Sequence, residues 1–194
     1  MNDPLLQQIF GEARTHNGWL SEPVDDATLR SLYEALRLGP TAANSVPARI
    51  VFVKSPEAKE RLRPCLAPLN VEKTMSAPAT AIIAYDTRFH EKMPKLFPAR
   101  PTMGEALAAM PPEQRDFFLL QNASLQAGYL ILAARALGLD CGPMAGFDRD
   151  KIDAAFFADL PWKSILLVNL GHGDPTKLYP RNPRLDFDEA CRIE

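Results

Sequence analysis

Cysteine is scarce in this 194-residue chain: Cys65, Cys141 and Cys191 form an odd, widely spaced set with no C-x-x-C pair and no histidine at ligand spacing. That argues against a disulfide framework or a zinc site and fits reduced thiols in a cytoplasm. An excess of one charge is also missing. With 22 basic and 24 acidic residues, a net charge of −2 and a pI near 6.0, the chain has no basic footprint for nucleic acid or an anionic membrane. No unbroken hydrophobic run is long enough to span a membrane. The longest apolar region, Phe117 to Leu139, is interrupted by Gln121, Asn122, Gln126 and Arg135, and reads as a buried helix rather than a membrane span. The first residues (Asn2, Asp3, Gln7, Gln8, Glu12) lack the basic start and apolar stretch of a signal peptide, so a cytoplasmic protein is expected. No repeat, low-complexity run, strand-borne G-x-G-x-x-G, Ser-His-Asp or Cys-His pattern is found. Nothing therefore calls for a separate nucleotide-binding domain or a side-chain nucleophile.

What is there suits one domain over 1–194, since 46% apolar residues can fill a core. Asp3 to His16 reads as a first helix, and Asp25 or Asp26 caps a second through Leu38, ended by Gly39-Pro40. Arg49–Val53 is a first strand, and Ser55 or Pro56 opens a short charged helix to about Arg63. Ala79–Asp86 is a second strand, apolar enough to be covered on both faces. Phe89 to Pro112 holds five of the 18 prolines together with Phe89, Met93, Phe97, Met103 and Met110. Such a segment forms no single regular element yet is too apolar for a disordered linker, so residues 89–112 are expected to pack as a lid. A long helix from about Glu113 to Leu137 ends at Gly138, a short one spans Asp148 to Phe157, and Ser164–Gly171 is a third strand. Few strands among many helices, without strict alternation, point to an α+β layered sandwich.

Four segments carry the chemistry. Pro40-Thr41-Ala42-Ala43-Asn44-Ser45-Val46-Pro47 joins a helix to a strand with small and hydroxylated residues, which lets the backbone approach a flat or anionic ligand. Asn44 both donates and accepts, and the prolines stiffen the turn. Arg14, beside Thr15 and His16, and Arg184, in the proline-stiffened segment Tyr179–Leu185, form a phosphate clamp if folding unites them, because guanidinium forks match phosphate oxygens. Asn70 and Lys73 stand three apart on one face of a turn or helix. That pair can read the polar edge of a pyrimidine-like ring, and the lysine favours negative charge developing there. Gly142-Pro143-Met144-Ala145-Gly146-Phe147 permits an unusual backbone path that turns an N–H towards a planar ligand.

In this order, R-T near the start, P-T-A-A-N-S-V-P before a strand, N-x-x-K, G-P-M-A-G-F-D and a final P-R-N-P-R-L, the chain resembles the nitroreductase family of FMN-dependent oxidoreductases over nearly its full length. A-R-T-H-N-G-W, L-G-P-T-A-A-N-S-V-P-A-R and G-H-G-D-P are similar to its malonic semialdehyde reductase subgroup. The resemblance implies a layered α-β-α sandwich with a central, mostly antiparallel sheet flanked by helices. It also implies a homodimer with FMN at the interface. Arg14, Thr15 and His16 would hold FMN at its phosphate and ring edge, with Arg184 and Arg181 completing the clamp. Thr41 and Asn44 would line the flavin and the partner subunit. Asn70 and Lys73 would bond the pyrimidine side, and Pro143, Ala145 and Gly146 would pass over the ring with an N–H aimed at N5. Val46, Ala48, Ala145, Asn17 and Gly18 depart from the family pattern.

The activity so implied is ping-pong hydride transfer from NAD(P)H through flavin N5 to a small-molecule acceptor. No side chain is assigned as a catalytic residue. Lys73 acts electrostatically, and no metal is expected. The leading substrate is a small carbonyl, with malonic semialdehyde reduced to 3-hydroxypropionate. The alternatives are a broad nitroreductase or quinone reductase, or a flavin-binding protein without turnover. His172 reads as a structural turn residue rather than a catalytic acid, and Arg88, Lys92, Lys95 and Arg100 as a solvated face rather than a carboxylate anchor.

Overall fold

The eight residues Ala79–Asp86 are apolar almost throughout, and in the computed structural model, which describes residues 3–194, each of them is buried. They form β2, which pairs antiparallel with β1 (Ala48–Val53) on one side and with β4 (Trp162–Gly171) on the other. β3 (Asp140–Met144) pairs antiparallel with the far side of β4, so the strand order is β1-β2-β4-β3. The two-residue period of β2 sorts its side chains between two cores. Ala79, Ala81, Ile83 and Tyr85 join Leu29, Leu32 and Leu36 of α2 (Asp26–Leu36) and Leu119, Ala123, Leu130 and Ala134 of α7 (Pro112–Ala136). Ile82 and Ala84 face the opposite way, onto Leu62 of α3 (Pro56–Leu62) and Ile152 of α8 (Arg149–Phe156). The result is the expected helix-sheet-helix layering.

Caps set the helix starts where the sequence places them. Asp25, Ser55 and Asp148 accept from the amides of Thr28, Ala58 and Lys151 at 2.7, 3.2 and 3.1 Å. Gly138 stops the long helix by taking φ of 82°, a left-handed conformation open to glycine. α7 is long and apolar enough to cross a membrane by composition alone. Its Leu119, Asn122, Ala123, Gln126, Ala127, Leu130 and Ala134 are nevertheless buried, and it packs on α2 and the sheet as a core helix.

Two expectations require correction. The first helix does not reach His16: α1 (Pro4–Leu6) widens into a π-turn at Gln7–Gly11 and ends there. Residues beyond it are extended because the outer edge of β3 captures them. Thr15 bridges Cys141 in parallel, and the His16 amide donates to the Cys141 carbonyl at 3.1 Å. Second, Gly142, Pro143 and Met144 belong to strand β3 rather than a loop. Proline is tolerated there because β3 lies at the end of the ordered sheet. The segment 89–112 contains α5 (Met93–Leu96) and α6 (Met103–Ala108), and it buries Phe89, Met93 and Leu107 against the α7 side of the core.

Candidate functional site

Folding unites the two ends of the chain. Arg14 and Thr15, from the extended segment after α1, line one cavity of about 480 Å³ with Tyr179, Arg181 and Arg184. Asn17, Asn182 and Arg135 of α7, none singled out as a ligand from the sequence, complete its polar lining. Four guanidinium groups thus meet in a cavity whose lining includes no carboxylate. The described hydrogen bonds of all four run to main-chain carbonyls. Arg14 donates to Tyr179 O, Arg181 to Gly11 O (2.8 Å) and Ala13 O (2.9 Å), Arg184 to Asn182 O and Pro183 O, and Arg135 to Ile9 O (2.9 Å). Carbonyls orient an arginine without neutralising it, so the cavity keeps its positive charge for an anion. The Nε of Arg135 is buried without a partner, as expected where a ligand oxygen belongs.

Asn17 carries the site onwards, since its Oδ1 accepts from Lys73 Nζ at 3.4 Å. Lys73 and Asn70 lie on α4 (Pro68–Met75), three residues apart as expected. Partial burial pulls the Lys73 ammonium below the usual lysine pKa, so an anion nearby would stabilise its charged form. Asn70 Nδ2 donates to Gly146 O at 2.7 Å, which fixes the loop after β3 beside α4. Ala145 and Gly146 are exposed and Pro143 half-buried, so this loop faces outward from the sheet.

Beneath α4 runs a buried polar network. Lys59, only 5% exposed, donates to Thr74 O (2.8 Å) and Thr80 Oγ1 (2.7 Å). Thr80 Oγ1 donates to Asn169 Oδ1 at 2.8 Å, and Asn169 Nδ2 donates to Lys73 O at 3.1 Å. Trp19 Nε1 holds the same Lys73 carbonyl at 2.8 Å. The last turn of α4 is therefore fixed by side chains far away in sequence. Burial among neutral partners pulls the Lys59 pKa down to about 8.

Thr41 and Asn44 lie apart from this cavity. Their turn has φ of 52° at Ala43, 50° at Asn44 and 39° at Val46, left-handed conformations that cost L-residues roughly 1–2 kcal/mol each. It is held by contacts on every side: Asn122 Oδ1 accepts from Ala42 N (2.7 Å), Thr41 Oγ1 accepts from Val46 N (3.1 Å), and Asn44 Nδ2 donates to Leu96 O (2.8 Å). Strain maintained in this way is typical of ligand-contacting turns. Among the described hydrogen bonds and cavity linings, none joins this turn to the arginine cavity.

His16 also turns away. Its Nε2 lies 3.3 Å from Asp140 Oδ1, while Asp140 Oδ2 accepts from Gly173 N at 2.8 Å, so the buried imidazole braces β3 against the 173 turn and is absent from the cavity lining. His172 stands on the surface, 3.7 Å from Glu22. Cys141 is buried with its thiol pushed up to about 12, and the pKa of Cys65 is also raised by burial, so neither is poised as a thiolate.

The nitroreductase family model matches residues 12–172. The chain belongs to the nitroreductase family. It is 57% identical over 189 residues to a Ralstonia nicotianae protein provisionally named NADH dehydrogenase/NAD(P)H nitroreductase, spanning 97% of this chain and 96% of that one. A Rhodopseudomonas palustris protein with the same provisional name is 54% identical, over 98% and 96% of the two chains. Among solved structures, a provisionally described nitroreductase of Exiguobacterium sibiricum in complex with FMN superposes with a TM-score of 0.88 at 19% identity, covering 100% of this chain and 99% of that one. At that identity it speaks for the nitroreductase fold alone.

Proposed function

We propose that this nitroreductase-family protein is an NAD(P)H-dependent FMN oxidoreductase reducing a small carbonyl compound, with malonic semialdehyde reduced to 3-hydroxypropionate as the specific candidate. The observation that carries the proposal is the arginine cavity free of carboxylates, continued through Asn17 to Lys73, Asn70 and the Gly146 loop. One end suits a phosphate and the other the polar edge of a planar ring. Bound there, FMN supplies hydride transfer from NAD(P)H to the acceptor at N5. Arg14, Thr15, Arg181 and Arg184 would hold the phosphate. Asn70 and Lys73 would bond the pyrimidine edge, where the ammonium would stabilise negative charge. Pro143, Ala145 and Gly146 would border the ring, and the Gly146 N–H donates to nothing among the described hydrogen bonds. His16 acts on the site by bracing the strand rather than by contact.

Thr41 and Asn44 reach a flavin if they are supplied by a second copy, and the surface supports a homodimer. α7 leaves Phe117, Leu120 and Leu125 exposed, Phe117 to 67%, and the C-terminal segment leaves Tyr179, Leu185, Phe187 and Ile193 uncovered. Apolar surface of this extent on both elements is a cost in water that a partner's matching surface removes.

For the acceptor, the Asn44–Leu96 bond sets the 89–112 segment against the strained turn, and Lys92, Lys95 and Arg100 on that segment are exposed with no ion pair among the described residues. Exposure without a partner is what a solvated face shows, so these cations assign no substrate group and the choice of acceptor rests on the resemblance to the malonic semialdehyde reductase subgroup. Arg88 is paired with Glu91 at 2.8 Å and is less available. The relatives' names, NADH dehydrogenase/NAD(P)H nitroreductase, favour the nitroreductase side of a second reading, a broad nitroreductase or quinone reductase. Anaerobic NADH should bleach the yellow protein, and malonic semialdehyde should restore its colour faster than a nitroaromatic. The reverse order supports the second reading, and no bleaching by NADH or NADPH would leave a flavin binder without turnover.

A further inference from the structure

Arg135 occupies the last turn of α7, and its neighbours A-A-R-A-L-G give no local hint of a ligand. The ordinary role of an arginine there is to complement the negative end of the helix dipole. A side chain serving only that role keeps its donors in water. Here Nη1 is taken by Ile9 O while Nε is buried with no partner. The carbonyls at this helix end are already bonded by others, with Gln8 Nε2 on Arg135 O and Ala136 O, and Leu139 N on Ala134 O. Arg135 is not needed as their cap.

No carboxylate among the described residues pairs with its charge. Glu12 and Asp140 line an adjoining cavity of about 200 Å³ with Arg135, yet neither lies within ion-pair distance of it, and Asp140 is engaged by His16 and Gly173. On the other side Arg135 shares the larger cavity with Arg14, Arg181 and Arg184. Those three come from the two chain ends, whereas Arg135 is mounted on a 25-residue core helix. We infer that Arg135 is a phosphate-binding residue of this cavity, whose rigidly mounted guanidinium makes the site select a flavin carrying a terminal phosphomonoester over the same ring system without one. The inference rests on the FMN reading above.

The test is fluorescence titration of the apo-protein with FMN and with riboflavin, for wild type, Arg135→Met and Arg135→Lys. Wild type should bind FMN more tightly than riboflavin. Arg135→Met should lose about tenfold or more in FMN affinity, as for a charge-assisted contact, with riboflavin affinity unchanged. Arg135→Lys, which keeps the charge without the planar fork, should fall between them and serves alone if the methionine variant does not fold. Equal losses for FMN and riboflavin would mean a packing role and overturn the inference, as would unchanged FMN affinity. Wild type binding both flavins equally would instead overturn the arginine clamp itself.

Discussion

Asn70 and Gly146 are fitted to each other: the Asn70 Nδ2 donates to the Gly146 carbonyl at 2.7 Å, and a Cβ on Gly146 would lie 2.5 Å from that same nitrogen. A side chain at position 146 requires the Asn70 amide or the loop to shift. Gly146→Ala should displace the loop from α4, and Asn70→Ala should release it while leaving Gly146 O bonded to the Ala67 amide. Each loses about 1 kcal/mol in chemical denaturation. Both should weaken FMN binding by roughly tenfold, since a loop that must be re-ordered on binding offsets part of the affinity. Undiminished affinity in both variants removes this loop from the site.

Among the described hydrogen bonds Arg184 reaches only carbonyls within its own segment, whereas Arg14 ties the N-terminal stretch to Tyr179. Arg184→Ala should therefore be the cleaner probe. Its FMN affinity should fall by about 2–4 kcal/mol, or roughly thirty- to a thousand-fold, with apo-protein stability unchanged. Arg14→Ala should lose comparable affinity and additionally loosen the C-terminal segment, read as faster amide exchange there. Full-strength binding by both variants in a fluorescence titration contradicts the clamp.

Lys59 makes a stability test independent of any ligand. Its folded pKa of about 8 lies below the roughly 10.4 of an unfolded lysine. Between those values the unfolded chain holds a proton that the folded one has released, so the Lys59 contribution rises with pH through that window. It is complete above the unfolded pKa and lost as pH falls through about 8. The full span is about 3 kcal/mol. Cys141 titrates oppositely, being held protonated to about 12, so the difference between wild type and Lys59→Met is the quantity to follow. That difference should grow from about pH 8 to about pH 10 in urea unfolding. A flat difference means that Lys59 stays charged in the fold.

Leu120 and Phe117 stand exposed on α7, one helical turn apart. Replacing both by Lys leaves the monomer core untouched but would place like charges across the proposed two-fold interface. Light scattering should change from a dimer mass for wild type to a monomer mass for the double variant, with FMN binding lost as well. A wild-type monomer that still binds FMN would contradict the shared site.

Asp25, Ser55 and Asp148 were legible as helix starts because capping is a local exchange between a side chain and an amide three residues away. β2 was legible because a strand buried on both faces must be apolar at every position. The ordered motifs also pointed to Arg14, Arg181 and Arg184, and these do share a cavity. β3 is not legible because its Gly142 and Pro143 break the strand pattern, and only its place at the end of the sheet makes them acceptable. The sequence overstates the first helix because nothing local reveals that the β3 edge takes the backbone of Thr15 and His16.

The sequence by itself determined the two-sided sheet and the capped helices, because periodicity and capping act within a few residues. Only the tertiary structure decided that Arg135 and Asn17 join the cavity, that His16 leaves it, and that Lys59 is buried beneath α4. The chain order says nothing about which carboxylates will lie beyond reach of an arginine, or which ammonium will lose its water. Charge left unpaired and burial without a counter-ion are properties of what the fold packs together.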